Sequence, residues 1–252
     1  MFPINDDNPT LRAPLMTAAI LLVTWAVWLF VQGAGDTVAL AASVCNLGLV
    51  PGEITHLAPL GQAVPLGRGM ACVVDNDAIN YATPLLSMFL HGSWTHLIGN
   101  SLYLWVFGNN VEDSMGRGRF LAFYLVTGVI AGLAQVAINP ASPVPTVGAS
   151  GAISGVMGAY LVLYPHNRVR TYIPPIFLFR FPAWAVLVIW FGSQVLSALP
   201  ELSTLRRDVS GGVAVFAHIG GFIAGALLIA WFKNPALVRR RTVGGDAQVV
   251  WS

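Results

Sequence analysis

Six long stretches of this chain carry no Asp, Glu, Lys or Arg: about Leu15–Gln32, Trp94–Asn110, Phe120–Ile138, Ala149–Tyr164, Ala183–Leu199 and Gly212–Phe232. A helix needs roughly 20 apolar residues, within a range of about 17–25, to cross the hydrocarbon of a bilayer. Charged residues make up only 10% of the chain, against about 25% in a soluble domain, so the apolar runs do not belong to one large water-soluble core. The runs do not alternate and are longer than barrel strands, which argues against a β-barrel. An all-α membrane protein of six transmembrane helices is expected. The fourth run is short for a span.

With an even number of spans both termini lie on one side. The segments on that side hold Arg12, Arg117, Arg119, Arg168, Arg170, Arg180, Lys233 and Arg239–Arg241, and the other side holds Arg68, Arg206 and Arg207. Ten against three places both termini in the cytoplasm by the positive-inside rule. The expected layout is a short cytoplasmic N-terminus (1–14), a six-helix membrane domain (15–232) with a long extracytoplasmic first loop (about 33–93), and a cytoplasmic tail (233–252). Arg239–Arg241 read as a topological anchor against anionic headgroups. The first run is too long and too poorly flanked by positive charge for a signal peptide, although Gly33-Ala34-Gly35 supplies small residues after it. Cys45 and Cys72 share the first loop, where a disulfide and two unpaired thiols are both open readings. Ala82–Leu90 in that loop is apolar but too short to span, and an interfacial position is expected.

Depth follows from topology. His96 and Asn100 lie one to two turns into the second span, Ser150 at the first turn of the fourth, and His218 about two turns into the sixth, all in the outer part of the membrane. The uncharged loop from Asn139 to Val147 can sink below the headgroups if it lines a cavity, so that Ser150 meets water. Gly151, Gly155 and Ala159 form an i, i+4, i+8 stripe, as do Ala217, Gly221 and Gly225, and such stripes let helix backbones approach closely in lipid.

Ionisable and polar groups inside a span are costly and are functional candidates by default. Ser150 would be a nucleophile activated by His218, a residue whose unperturbed pKa suits general base work. No Asp or Glu falls within any of the six runs, so a dyad rather than a triad is expected. The amides that open the fourth helix, including that of Ser150, with His96 and Asn100 from one face of the second, would bind the oxyanion. Taken singly, a membrane serine bonds back to its own helix and a membrane histidine satisfies a neighbour. All four at one depth, with glycines beside the serine, shift the reading to catalysis. There is no H-E-x-x-H for a zinc protease and no intramembrane Asp for an aspartyl protease, and neither carboxylates nor inverted repeats suggest a coupled transporter.

At these residues the chain resembles the rhomboid family of intramembrane serine proteases. Gly148-Ala149-Ser150-Gly151 is similar to the nucleophile motif, Ala217-His218 with Gly221 to the base motif, and His96-Leu97-Ile98-Gly99-Asn100 to the oxyanion pattern. Gly108, Glu112 and Gly116 match a structural pattern at the following cytoplasmic loop. The resemblance covers about 90–230 and implies a rhomboid-like six-helix bundle, a serine endopeptidase that cleaves transmembrane protein substrates near the outer face of the lipid bilayer. It also implies that the fifth helix and following loop, about Ala183–Gly211, admit substrate, and that no metal, cofactor or nucleic acid is involved. Two departures stand out. The position four after the nucleophile, commonly an aromatic that stacks on the histidine, is Ser154; either another aromatic supports His218 or the imidazole is held less firmly. The first loop lacks the Trp-Arg pair of some members. The alternative from another class is a catalytically silent rhomboid-like protein that binds transmembrane helices. The compact core suggests a bacterial inner membrane.

Overall fold

A computed structural model of the protein describes residues 2–67, 69–75, 80–175, 177–202 and 214–238. The chain is mostly helical. The described part of each of the six apolar runs falls on one helix. These are α1 (Leu15–Ala26, continued by a π turn over Val27–Val31), α5 (Trp94–Met115), α6 (Arg117–Ile138), α7 (Ser150–Leu163), α8 (Ala183–Leu202) and α9 (Val215–Phe232). Among the described residues, α6 and α9 are long and apolar enough to cross a membrane by length and composition alone. Arg68, Arg206, Arg207 and Arg239–Arg241 lie outside the described residues, as does much of the segment expected to follow α8.

The core is built around α7, which packs most extensively on α9 and then on α6 and α5. Phe107, Phe120, Phe123, Tyr124, Met157 and Tyr160 are almost wholly buried there. In lipid the hydrophobic effect does not drive helix against helix, so this association rests on dispersion and close packing. The contacts are correspondingly tight. A Cβ added at Gly221 would stand 2.1 Å from the Gly151 carbonyl oxygen, and one at Gly225 only 1.9 Å from that of Gly155. Gly151 and Gly155 of α7 turn their own hydrogens elsewhere, toward Ala131 and Thr127 of α6 respectively. Gly158, outside the stripe read from sequence, is the α7 glycine that meets the backbone of Phe222.

The pattern Gly108, Glu112, Gly116 was expected at a cytoplasmic loop, but it occupies the last turns and end of α5. The buried Glu112 carboxylate accepts from the Met16 and Thr17 amides at 3.0 and 2.8 Å and from the Thr17 hydroxyl at 2.8 Å. Those amides belong to the first turn of α1, where backbone donors lack intrahelical partners and a carboxylate is favoured. Asp113 bonds Arg12 at 2.9 Å. The buried Asp6 accepts from Asn110 Nδ2 at 2.7 Å and Tyr160 OH at 2.5 Å, tying the N-terminal segment to both α5 and α7. These bonds fix the register of the two helices that carry Asn100 and Ser150.

Among the described residues, five short strands precede or connect the helices. β1 (Phe2–Asp6), β4 (Arg168–Ile173) and β5 (Phe177–Pro182) form an antiparallel sheet in the order β1-β4-β5. Sequence reading treated these as plain connections, although Phe177-Leu178-Phe179-Arg180-Phe181 keeps one residue class on alternate positions, a strand signal. In the first loop, Asp36 caps α2 (Thr37–Leu47), the short α3 (Pro51–Ile54) follows, and β2 (Ala63–Gly67) pairs with β3 (Met70–Val73). Cys45 of α2 and Cys72 of β3 form a disulfide. The Ala82–Leu90 stretch, expected at the membrane interface, is folded onto the helices. It forms α4 (Thr83–Leu86) and a 3₁₀ turn over Ser87–Phe89, and its Met88 is buried against α6, where a Cβ at Gly128 would meet Met88 Cε at 2.1 Å.

Candidate active site

Helix α7 opens without a side-chain cap. The turn before it depends on Gly148, whose φ of +129° is a conformation that side-chain-bearing residues rarely adopt. Its N–H donates to the Ser87 carbonyl at 2.9 Å. A Cβ here would lie 2.7 Å from His96 Cε1, so only glycine lets the His96 ring rest against the turn. The same Cβ position is 3.6 Å from Ser150 Oγ, which puts His96 and the serine hydroxyl on one side of the turn.

Ser150 Oγ lies 2.7 Å from His218 Nε2. Those two atoms come from α7 and α9, whose backbones touch at Gly221 and Gly225. The described part of α9 begins at Val215, so His218 sits at its first turn rather than about two turns in. His218 is buried, and its Nδ1 is 2.8 Å from the Oε1 of Gln194 on α8. Trp190, one turn earlier on α8, has its ring 5.8 Å from the imidazole and 6.1 Å from Phe222. Ser154 takes no part in supporting the ring; its hydroxyl donates to the Ser150 carbonyl at 2.6 Å.

His96 and Asn100 both line the same cavity as Ser150 and His218, which measures about 1660 Å³. His96 Nδ1 accepts a long, 3.5 Å bond from the Gly92 amide, so in the neutral ring Nε2 carries the hydrogen. Asn100 Nδ2 is 2.9 Å from Nε2 of His91, which occupies one of the two amide hydrogens and leaves the second. His91 is itself buried and locked by Gln32, which exchanges two 2.8 Å bonds with its backbone. The same cavity is lined by Pro143 and Thr146 and by Val64, Leu66 and Met70 of the β2–β3 hairpin.

Three residues near the Ser150–His218 pair escaped the sequence reading. Gln194 and Trp190 stand in an apolar run whose amide was visible as an isolated polar residue, but no spacing rule links it to His218, 24 positions on. His91 lies just before α5, five residues ahead of His96, and a lone histidine there carried no pattern.

The family profile described as "Rhomboid domain" matches residues 80–234. "Rhomboid protein 1, mitochondrial" of Saccharomyces cerevisiae is 30% identical over 164 residues, covering 62% of this chain and 42% of that protein. "Putative rhomboid protease YdcA" of Bacillus subtilis is 31% identical over 146 residues, 58% of this chain and 63% of its own length. "Rhomboid protease GluP" of the same organism is 43% identical over 84 residues, 33% of this chain and 16% of that protein. In each of the three, the match spans less than two thirds of the relative. Because mitochondrial as well as bacterial relatives appear, the expectation of a bacterial inner membrane is not supported. The profile takes in Ser150, His218, His96, Asn100, His91, Trp190 and Gln194 and more than half of the sequence, and on that ground the chain belongs to the rhomboid family.

Proposed function

We propose that this rhomboid-family membrane protein is an intramembrane serine endopeptidase that hydrolyses peptide bonds of transmembrane substrates with a Ser150–His218 dyad. In this reading α1, α5, α6, α7, α8 and α9 all span the bilayer, both termini face the cytoplasm, and the cavity opens toward the opposite side. The observation that carries the proposal is the 2.7 Å approach of Ser150 Oγ to His218 Nε2 in a cavity of about 1660 Å³.

The chemistry follows from those positions. His218 Nε2 takes the Ser150 hydroxyl proton as Oγ bonds to the substrate carbonyl carbon. Negative charge gathers on the carbonyl oxygen, and the Ser150 amide, His96 Nε2–H and the second Asn100 N–H are the donors assigned to it. Each such donor is worth about 10²–10³ in rate. His218 then protonates the leaving amine, and the C–N bond breaks to give an acyl-enzyme. Water, deprotonated by the same imidazole, releases the new carboxyl terminus. A silent helix-binding role draws no support from a serine and histidine already in hydrogen-bond contact.

The test is a serine-reactive fluorophosphonate probe. Ser150 labels in the wild-type protein, while Ser150→Ala and His218→Ala lose both label and cleavage of a transmembrane substrate. Cleavage that persists in Ser150→Ala, or no labelling of folded wild-type protein, removes the assignment.

A further inference from the structure

We infer that Gln194 is a positioning residue for the dyad: its amide oxygen selects the His218 tautomer whose Nε2 can receive the Ser150 proton. The inference rests on the serine-protease reading above and deepens it. Gln194 Oε1 stands 2.8 Å from His218 Nδ1, and a carbonyl oxygen only accepts, so Nδ1 must carry the ring hydrogen. A neutral imidazole has one such hydrogen. Nε2 is therefore bare, and it is the atom 2.7 Å from Ser150 Oγ. In the opposite tautomer Nε2–H would donate to the serine, and the ring's lone pair, then on Nδ1, would face Gln194 and not the proton it has to take.

The amide itself is oriented. Gln194 Nε2 donates to Ser193 Oγ at 3.3 Å, and the Ser193 hydroxyl donates in turn to the Trp190 carbonyl at 2.6 Å. Ser193 Oγ thus presents a lone pair to the amide nitrogen. Turning the amide over would set oxygen against that lone pair and an N–H against Nδ1. One short chain of hydrogen bonds on α8 therefore determines which nitrogen of His218 faces the nucleophile. During catalysis Gln194 neither gains nor loses a proton; the Nδ1–H bond persists while Nε2 is protonated and deprotonated.

Ring support comes from the same helix. At the position four after the nucleophile, Ser154 bonds its own backbone, and Trp190 stands beside the imidazole instead. Both constraints on His218, the amide and the indole, lie one turn apart on α8. The poise of the base is thereby tied to the docking of α8 against α9.

The experiment compares wild type, Gln194→Leu and Gln194→Glu by rate of fluorophosphonate labelling at Ser150, normalised to folded protein by thermal melting. Gln194→Leu is expected to label about tenfold more slowly or worse, with kcat falling by a like factor and KM little changed. Gln194→Glu, which keeps an acceptor at the same reach, restores most of the rate. Nitrogen-15 spectra of histidine-labelled protein, simple with five histidines, show Nδ1–H for His218 in the wild type and a shift toward Nε2–H in Gln194→Leu. Labelling of Gln194→Leu at the wild-type rate overturns the inference. So does equal slowing of both variants in step with lost thermal stability, since that marks a packing role. If the wild type does not label but its tautomer depends on Gln194, the positioning stands and the protease reading fails.

Discussion

The α7–α9 pair and the α8–α9 pair hold the same histidine by opposite means. Between α7 and α9, backbone meets backbone: Gly221 and Gly225 sit against the carbonyls of Gly151 and Gly155 with no room for a methyl group. Between α8 and α9 the contact is made by side chains. Trp190 and Phe191 lie on Phe222, with Phe191 stacked at 4.6 Å, and Gln194 reaches His218. Much of α8 faces outward, with Ile189 62% and Leu196 68% exposed. A glycine-to-carbonyl contact has no rotamers to choose among, whereas a side-chain contact can be remade. Placement of Ser150 relative to His218 thus rests on the rigid interface, and orientation of the imidazole on the adaptable one.

That contrast can be broken first at Gly225. Gly225→Val forces the two helices apart and is expected to cost about 3 kcal/mol or more, with little folded protein and no Ser150 labelling. Thermal melting in detergent reads it directly, and a variant that melts with the wild type would show that the interface is not close-packed. Next in size, Trp190→Ala leaves the dyad distance governed by α7 and α9 but loosens the ring. Turnover should fall severalfold with melting lowered by only a few degrees; loss of folding instead would put α8 on the same footing as α7.

A third comparison concerns His91, packed just before α5. Burial, aided by His96, holds it neutral and pushes its pKa down to about 3. The unfolded chain takes up that proton near pH 6.5, so between these values it binds more protons than the folded chain. Stability from this site is complete above about pH 6.5 and declines as the pH falls toward 3. A melting temperature that holds steady from pH 7 to 4 would count against it. The smallest effect is expected at Gly192 on α8, where an added Cβ meets nothing within 4 Å. Gly192→Ala should shift stability by less than about 1 kcal/mol, toward greater stability through helix propensity. A collapse there like that of Gly225→Val would erase the distinction between the two interfaces.

Much of this architecture was legible beforehand, and for a physical reason. Apolar runs such as Phe120–Ile138 leave few alternatives to a buried or lipid-facing helix, and the polar residues Ser150, His218, His96 and Asn100 stand out because such surroundings rarely tolerate them. The short strands were missed because their alternation is carried by few residues and their pairing is long-range: β1 joins β4 across most of the chain. The Ala82–Leu90 stretch was placed by its length, which says nothing of the slot beside Gly128 that receives Met88.

Local chemistry along the chain therefore determined which segments are apolar helices and which residues are too costly to be there by chance. It carried no information on which face each helix turns to the next. Helix rotation and crossing decided that Gly158 meets the backbone of α9, that Asn100 spends one hydrogen on His91, and that an amide from α8 completes His218. Spacing within one helix is governed by a fixed 3.6-residue period, but contact between helices depends on packing summed over many side chains, and that sum exists only in the assembled bundle.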